Sequence, residues 1–216
     1  MGRLQVRYIF VGSTGAIADV IKYVARRGHQ VIVFDNTREG VEELEAELGV
    51  TGAVVDLLNL QDLERFGFSK ADVVVVGHKY NSINVALAAY AKQVGIPKIV
   101  VVTANRELAS VIKALGLAND VVVVNEVVSR AVVSSIYGAI SVDLTGDLVI
   151  LVLRPSALRD YVGRSVGELE EDLEVEVLKV VGSDGVAVSP SDDRVIREGE
   201  TLVALASRSA LEKLMT

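Results

Sequence analysis

The sequence predicts an α/β chain: a doubly wound, mostly parallel sheet followed by a small α+β C-terminal module. Three observations carry that expectation. Blocks of valine at 73–76 and 121–124 are what strands buried on both faces of a parallel sheet require. These blocks alternate with segments of helical periodicity, so consecutive strands are joined by crossover helices. Beyond residue 147 the alternation gives way to short strands and turns.

Element by element, residues 8–11 are apolar and run into Gly12-Ser13-Thr14-Gly15. Ile17, Val20, Ile21 and Val24 then recur at helical spacing, with Gly28 as terminator. A second strand, 31–34, stops at Asp35 and closes a βαβ unit of about thirty residues, the length that parallel strands joined by a helix need. The beat repeats as helix 41–48, strand 52–55, short helix 60–66, strand 73–76 and helix 83–94. It continues as strand 99–102, helix 108–115, strand 121–124 and a helix from 126 to 137. Six strands then alternate with helices, and a ligand belongs beyond their carboxyl ends, near the switch in strand order. After 143–147 come strands at 148–153, 174–181, 185–188 and 201–206, with short helices only at 166–171 and 209–215. Such a segment cannot extend a sheet that depends on long crossovers, so the expected domains are 1–140 and 146–216.

Composition narrows the function classes. The chain of 216 residues has a formal net charge of -7, which argues against a nucleic-acid partner, since phosphate binding needs clustered Lys and Arg. Residues 1–144 carry 14 Lys and Arg against 15 Asp and Glu, whereas 145–216 carry 8 against 14. The second segment is therefore the more acidic. The longest uncharged runs, 80–91 and 131–142, hold 12 residues, short of the roughly 18 that would span a bilayer, so the chain is not expected to be transmembrane. There is no cysteine, hence no disulfide framework or thiolate site. The first residues lack the apolar core of a secretory signal, and a cytoplasmic location is expected.

In a Rossmann-like fold the first strand-to-helix turn brings backbone N–H groups and a helix N-terminus to a diphosphate. Gly12, Ser13, Thr14 and Gly15 occupy that turn, although Thr14 and Ile17 stand where the Gly-x-Gly-x-x-Gly pattern has its second and third glycines. Thr14 narrows the approach of a phosphate, and Ile17 is expected to push the helix away from the strand. The Ser13 and Thr14 hydroxyls could still donate to an anion. A tight turn that needs its glycines for backbone reasons alone is the alternative. Asp35 ends the second strand 23 residues after Gly12, where a carboxylate accepts from ribose hydroxyls; it could equally cap the turn Asn36-Thr37. Asn36 is counted with the same site. Asp56 could face an adenine edge and Arg38 stack on the ring, against a reading of both as solvated loop charges. His78 follows the fourth strand beside Lys79 and Asn81, either as a ligand contact or as part of a polar loop.

Catalytic machinery is thin. There are two histidines, His29 and His78, and no Tyr-x-x-x-Lys, Gly-x-Ser-x-Gly, His-Glu-x-x-His or Gly-x-x-x-x-Gly-Lys-Ser/Thr. The acidic run from Glu168 to Glu176 lacks calcium-loop spacing and reads as a solvated helix face, so no metal site is expected.

Several stretches resemble the RCK (KTN) regulators of potassium conductance. In the first segment these are residues 8–12, 28–35, 71–76, 84–87 and 115–118. In the second, 161–165 through Leu169, 189–196 and 198–202 resemble the family's C-terminal (TrkA-C) module. The resemblance implies a cytosolic, non-enzymatic subunit of a potassium channel or transporter, held at the inner face of the membrane through that partner. It implies a homodimer or larger ring whose shape responds to NAD or NADH, or to ATP or ADP. Two other readings stand beside it: the cytosolic fragment of a potassium channel, and an NAD(P)-dependent oxidoreductase. Against the last, residues 145–216 hold no His, no Cys and one Tyr, Tyr161, so a proton donor for a nicotinamide is missing. Independently, Val127, Val128, Ala131, Val132, Val133 and Ile136 would surround a helix rather than line one stripe, so that helix needs cover on more than one side. A long buried strand is the alternative for the same valines.

Overall fold

The protein is described here by a computed structural model covering residues 5–144 and 147–214. By its contacts the chain divides into Met1–Val127 and Val128–Thr216. The first unit is built on six strands: β1 (Arg7–Val11), β2 (Gln30–Asp35), β3 (Thr51–Val54), β4 (Val73–Val76), β5 (Lys98–Thr103) and β6 (Asp120–Val123). All pair in parallel, in the order β3-β2-β1-β4-β5-β6. The connecting helices are α1 (Ala16–Ala25), α2 (Arg38–Leu48), α3 (Leu60–Arg65), α4 (Asn81–Gln93) and α5 (Arg106–Ala114).

Alternation along each strand sends side chains to two separate cores. Phe10, Val31, Val33 and Val75 meet Ile17 and Ile21 of α1 and Leu44 of α2 on one face. Ile9, Val11, Phe34 and Val74 meet Leu63 of α3, Leu87 of α4 and Ile112 of α5 on the other. Helices thus cover both faces, which is why the strands read as continuous apolar blocks. Each fully buried side chain of this size contributes about 1.5–3 kcal/mol through apolar burial.

Helix α6 (Val124–Tyr137) follows β6 directly, and none of its residues is buried. The second unit carries β7 (Ala139–Asp143), β8 (Leu148–Leu153), α7 (Val166–Leu173), β9 (Val175–Val181), β10 (Ala187–Val188), β11 (Thr201–Ser207) and α8 (Arg208–Leu214). Its sheet is antiparallel, in the order β10-β9-β11-β8-β7. Leu151, Leu153, Val166, Leu169, Leu202 and Ala210 share its core. Strand β7 is not among the strands expected from the sequence, which place none between 124 and 148. The uncharged run 131–142 covers helix and strand without polar punctuation; the break is Gly138, at φ +70°, a conformation that suits glycine after a helix.

The acidic run is spent inside this unit. Ser165 and Glu168 form a reciprocal capping box at the start of α7. Glu170 accepts from the Val177 N–H at 2.6 Å, and Asp172 pairs with Arg164 at 2.8 Å. Among the described residues no three His, Cys, Asp or Glu side chains are placed to hold a metal ion. No helix among them is long and apolar enough to cross a membrane.

Candidate functional site

Strands β1 and β4 are neighbours although β2 and β3 lie between them in sequence. That reversal puts the turns after β1 and β4 side by side at the carboxyl edge, where open α/β sheets bind ligands. The Gly12 N–H donates to the Phe34 carbonyl at 2.9 Å and the Gly77 N–H to the Val11 carbonyl at 2.9 Å. Gly12 sits at φ +103°, and a Cβ there would lie 2.9 Å from the Gly77 oxygen. Gly77 has its own reason to be glycine: a Cβ would lie 2.4 Å from Ile17 Cδ1. The displacement expected of Ile17 is absorbed in this way, because the room that a glycine on the helix would give comes from a glycine on the facing turn. Gly12→Ala is expected to destabilise the first unit by about 1–3 kcal/mol, through left-handed strain and the carbonyl contact together. A denaturant midpoint equal to that of the unmodified chain would contradict it.

Helix α1 opens without a side-chain cap; its N-cap is Gly15 at φ 60°. Thr14, Gly15 and Ala16 are exposed, so the uncapped first turn of α1 lies at the surface, as an anion site needs. Ser13 behaves differently. It is buried, and its hydroxyl donates to Asp35 Oδ2 at 2.6 Å. A carboxylate only accepts, so the one Ser13 proton is directed to Asp35 in this structure.

Asp35 is 4% exposed. Its Oδ1 accepts from the Thr37 N–H at 3.1 Å and the Thr37 hydroxyl at 3.0 Å, so the residue caps the turn and faces the switch point at once. Burial alone would raise its pKa. The hydrogen bonds from Ser13 and Thr37 outweigh that and hold it below the ordinary aspartate value, so Asp35 is an anion at neutral pH. His78, also buried, lies with Nε2 3.9 Å from Asp35 Oδ1. Its Nδ1 accepts from the Tyr80 N–H at 3.2 Å, which leaves the proton on Nε2 to be donated to Asn36 Oδ1 at 3.1 Å. Burial lowers the His78 pKa; Asp35 opposes the shift without reversing it, and Lys79 adds to it.

Both depressed values give the same sign. Stability is fully present above the unfolded-state value and is lost as pH falls toward the folded-state value. For His78 that loss begins near the ordinary histidine value of about 6.5, and for Asp35 only below about 4. His78→Asn is expected to flatten the stability profile just below the ordinary histidine value of about 6.5 and leave the lower limb in place. Urea midpoints across that range check it; an unaltered profile would contradict it.

Asn84 is not among the expected site residues, although the stretch 84–87 carries part of the resemblance. It is 1% exposed, its Oδ1 accepts from the His78 N–H at 2.9 Å, and its Nδ2 donates to the His78 carbonyl at 2.8 Å. The first turn of α4 thereby fixes the loop after β4. Beside the switch point, Asn36, Val55, Asp56, Asp62, Arg65 and Phe66 line a cleft of about 620 Å³. Asp56 enters it with Oδ1 occupied by the Leu58 N–H at 3.0 Å. The Arg38 guanidinium is engaged by Glu42 at 3.4 Å on the exposed side of α2 and is absent from the cleft lining. The structure therefore gathers Gly12, Ser13, Asp35, Asn36 and His78 into one network and places Asp56 on its flank.

A family model for the TrkA-N domain matches residues 9–126. Among solved structures, the GsuK channel bound to NAD superimposes with a TM-score of 0.66 at 18% identity, over 99% of this chain and 40% of that one. GsuK bound to ADP matches 61% of this chain and 35% of that one, with a TM-score of 0.53 and 15% identity. The TrkA-N domain of the inner membrane protein ybaL from Escherichia coli matches 62% of this chain and 98% of that one, with a TM-score of 0.55 and 16% identity. The chain spans well under half the length of the channel structures, and at these identities the likeness carries the fold. A comparison with curated proteins finds no match. With a family model over more than half of its length and an RCK-like fold in both units, the chain belongs to the TrkA-N (RCK) domain family.

Proposed function

We propose that the chain is a ligand-sensing regulatory subunit that binds an adenine nucleotide at the β1–β4 switch point and passes its bound state to a membrane potassium channel or transporter. The observation that carries this reading is the pairing of an uncapped α1 N-terminus after Gly12–Gly15 with a buried, ionised Asp35 at the end of β2. The first suits a diphosphate and the second a ribose. The cleft holding Asp56 has room for the adenine. NAD or NADH and ATP or ADP share that adenosine diphosphate portion, and the GsuK structures bound to NAD and to ADP favour the same class.

The second unit is read as the family's C-terminal regulatory module. A helix with no buried residue, α6, supports assembly into a dimer or ring. The partner would hold the assembly at the inner membrane face. Calorimetry of the full chain with NAD, NADH, ATP and ADP tests the ligand class. Binding of at least one is expected, and no heat from any of the four at millimolar concentration would overturn the reading.

Gating requires more than binding, because a ligand shifts a two-state equilibrium only by its differential affinity. Moving a population from 1:9 to 9:1 needs about 2.6 kcal/mol of difference. The expected site of change is 125–144, at the junction of the two units. Hydrogen exchange there should differ between free and nucleotide-saturated protein; superimposable profiles with the ligand bound would exclude gating by that ligand.

A further inference from the structure

A carboxylate offers about four lone-pair positions, two on each oxygen. In Asp35 three are taken: Oδ1 accepts from the Thr37 N–H at 3.1 Å and its hydroxyl at 3.0 Å, and Oδ2 accepts from Ser13 at 2.6 Å. One position on Oδ2 remains. A ribose presents two adjacent hydroxyls, and holding both takes two positions. Ser13 is seated firmly where it is. It is 3% exposed, and its Oγ lies so close to the α2 backbone that a Cβ on Gly40 would approach it to 2.4 Å. Gly40 thus makes the space in which the Ser13 hydroxyl reaches Asp35.

We propose that Ser13 is a specificity-determining residue of the nucleotide site: its hydroxyl competes with the ribose for Asp35 Oδ2, so both ribose hydroxyls are held only when Ser13 is displaced. This rests on the nucleotide reading above. The free chain spends on an internal hydrogen bond what the ligand would use, and selectivity for the 2′-hydroxyl is correspondingly low. A released Ser13 proton becomes a donor in the turn between Gly12 and Gly15, where the diphosphate would sit. The same residue therefore couples recognition of the two halves of the ligand.

The test is calorimetry of ADP and 2′-deoxy-ADP on the full chain, on Ser13→Ala and on Asp35→Ala. The unmodified chain is expected to prefer ADP by less than about threefold. Ser13→Ala should raise that preference to about tenfold or more, through tighter ADP rather than weaker 2′-deoxy-ADP, as one further hydrogen bond to a charged group implies. Asp35→Ala should erase it. Thr37→Val, which frees a position on Oδ1, is the second variant and should move the preference the same way. An ADP preference that is unchanged in both Ser13→Ala and Thr37→Val, or already tenfold in the unmodified chain, overturns the competition while leaving nucleotide binding intact. No binding of ADP to any of these proteins overturns the nucleotide reading, and this inference with it.

Discussion

Asp35→Ala is expected to weaken adenine-nucleotide binding by roughly 10-fold to 150-fold, the equivalent of one hydrogen bond to a charged group at about 1.5–3 kcal/mol. The loss should fall toward the lower end of that range, because Ser13 and Thr37 leave a single lone-pair position of the carboxylate for a ribose. The variant also removes the acceptor of three buried or half-buried donors, so the free chain should lose stability too. Asp35→Asn separates the two effects. It keeps an amide oxygen for Thr37 but presents an N–H₂ in place of the second oxygen, so it should retain more stability than alanine while still binding weakly. Calorimetric affinity measured where both variants are folded decides it, and an affinity equal to that of the unmodified chain would remove Asp35 from the site.

The features that carry this expectation were unequally readable beforehand. The sheet was legible because strands buried on both faces need uninterrupted valine and isoleucine, and Val73–Val76 could be little else. Asp35 was legible by its distance from Gly12, since a βαβ unit has a nearly fixed length. Its surroundings were not. Whether the Ser13 hydroxyl points to a ligand or to Asp35 depends on an approach set by Gly40, 27 residues further along the chain. Gly77 is a similar case. It read as the end of a strand, yet it is what lets Ile17 replace a glycine on α1. Periodicity reports which face a residue occupies and is silent about which distant backbone leaves it room.

The second unit shows the same limit in another form. Strand β8 is an unbroken apolar run, Leu148–Leu153, bounded by Asp147 and Arg154, so its length and flanks gave it away. Strand β7 follows α6 after one glycine, and a run of Ala, Val, Ile and Ser serves helix and strand equally well. Arg38 illustrates the converse. Glu42 stands four residues on, and on a helix that spacing makes an exposed ion pair, a contact legible from the sequence alone.

Helix α6 gives the second large effect: Val128→Asp combined with Ile136→Asp is expected to break the proposed assembly. Val127, Val128, Val132 and Ile136 are 51%, 55%, 53% and 69% exposed, and no residue of the helix is buried. A helix with this much uncovered aliphatic surface needs a covering surface, and in the proposed function a second copy of the chain provides it. Covering each such side chain contributes about 1.5–3 kcal/mol, so losing two costs roughly 3–6 kcal/mol, or at least about 100-fold in the dissociation constant. Burying the introduced carboxylates would add to that cost. Neither position packs into a core within the chain, so circular dichroism should stay close to that of the unmodified protein, and melting should fall only by what the lost association contributed. Light scattering at micromolar concentration should then show a dimer or larger species giving way to monomer. A monomeric unmodified chain would overturn the assembly, and an oligomer that survives both aspartates would place its interface away from this helix.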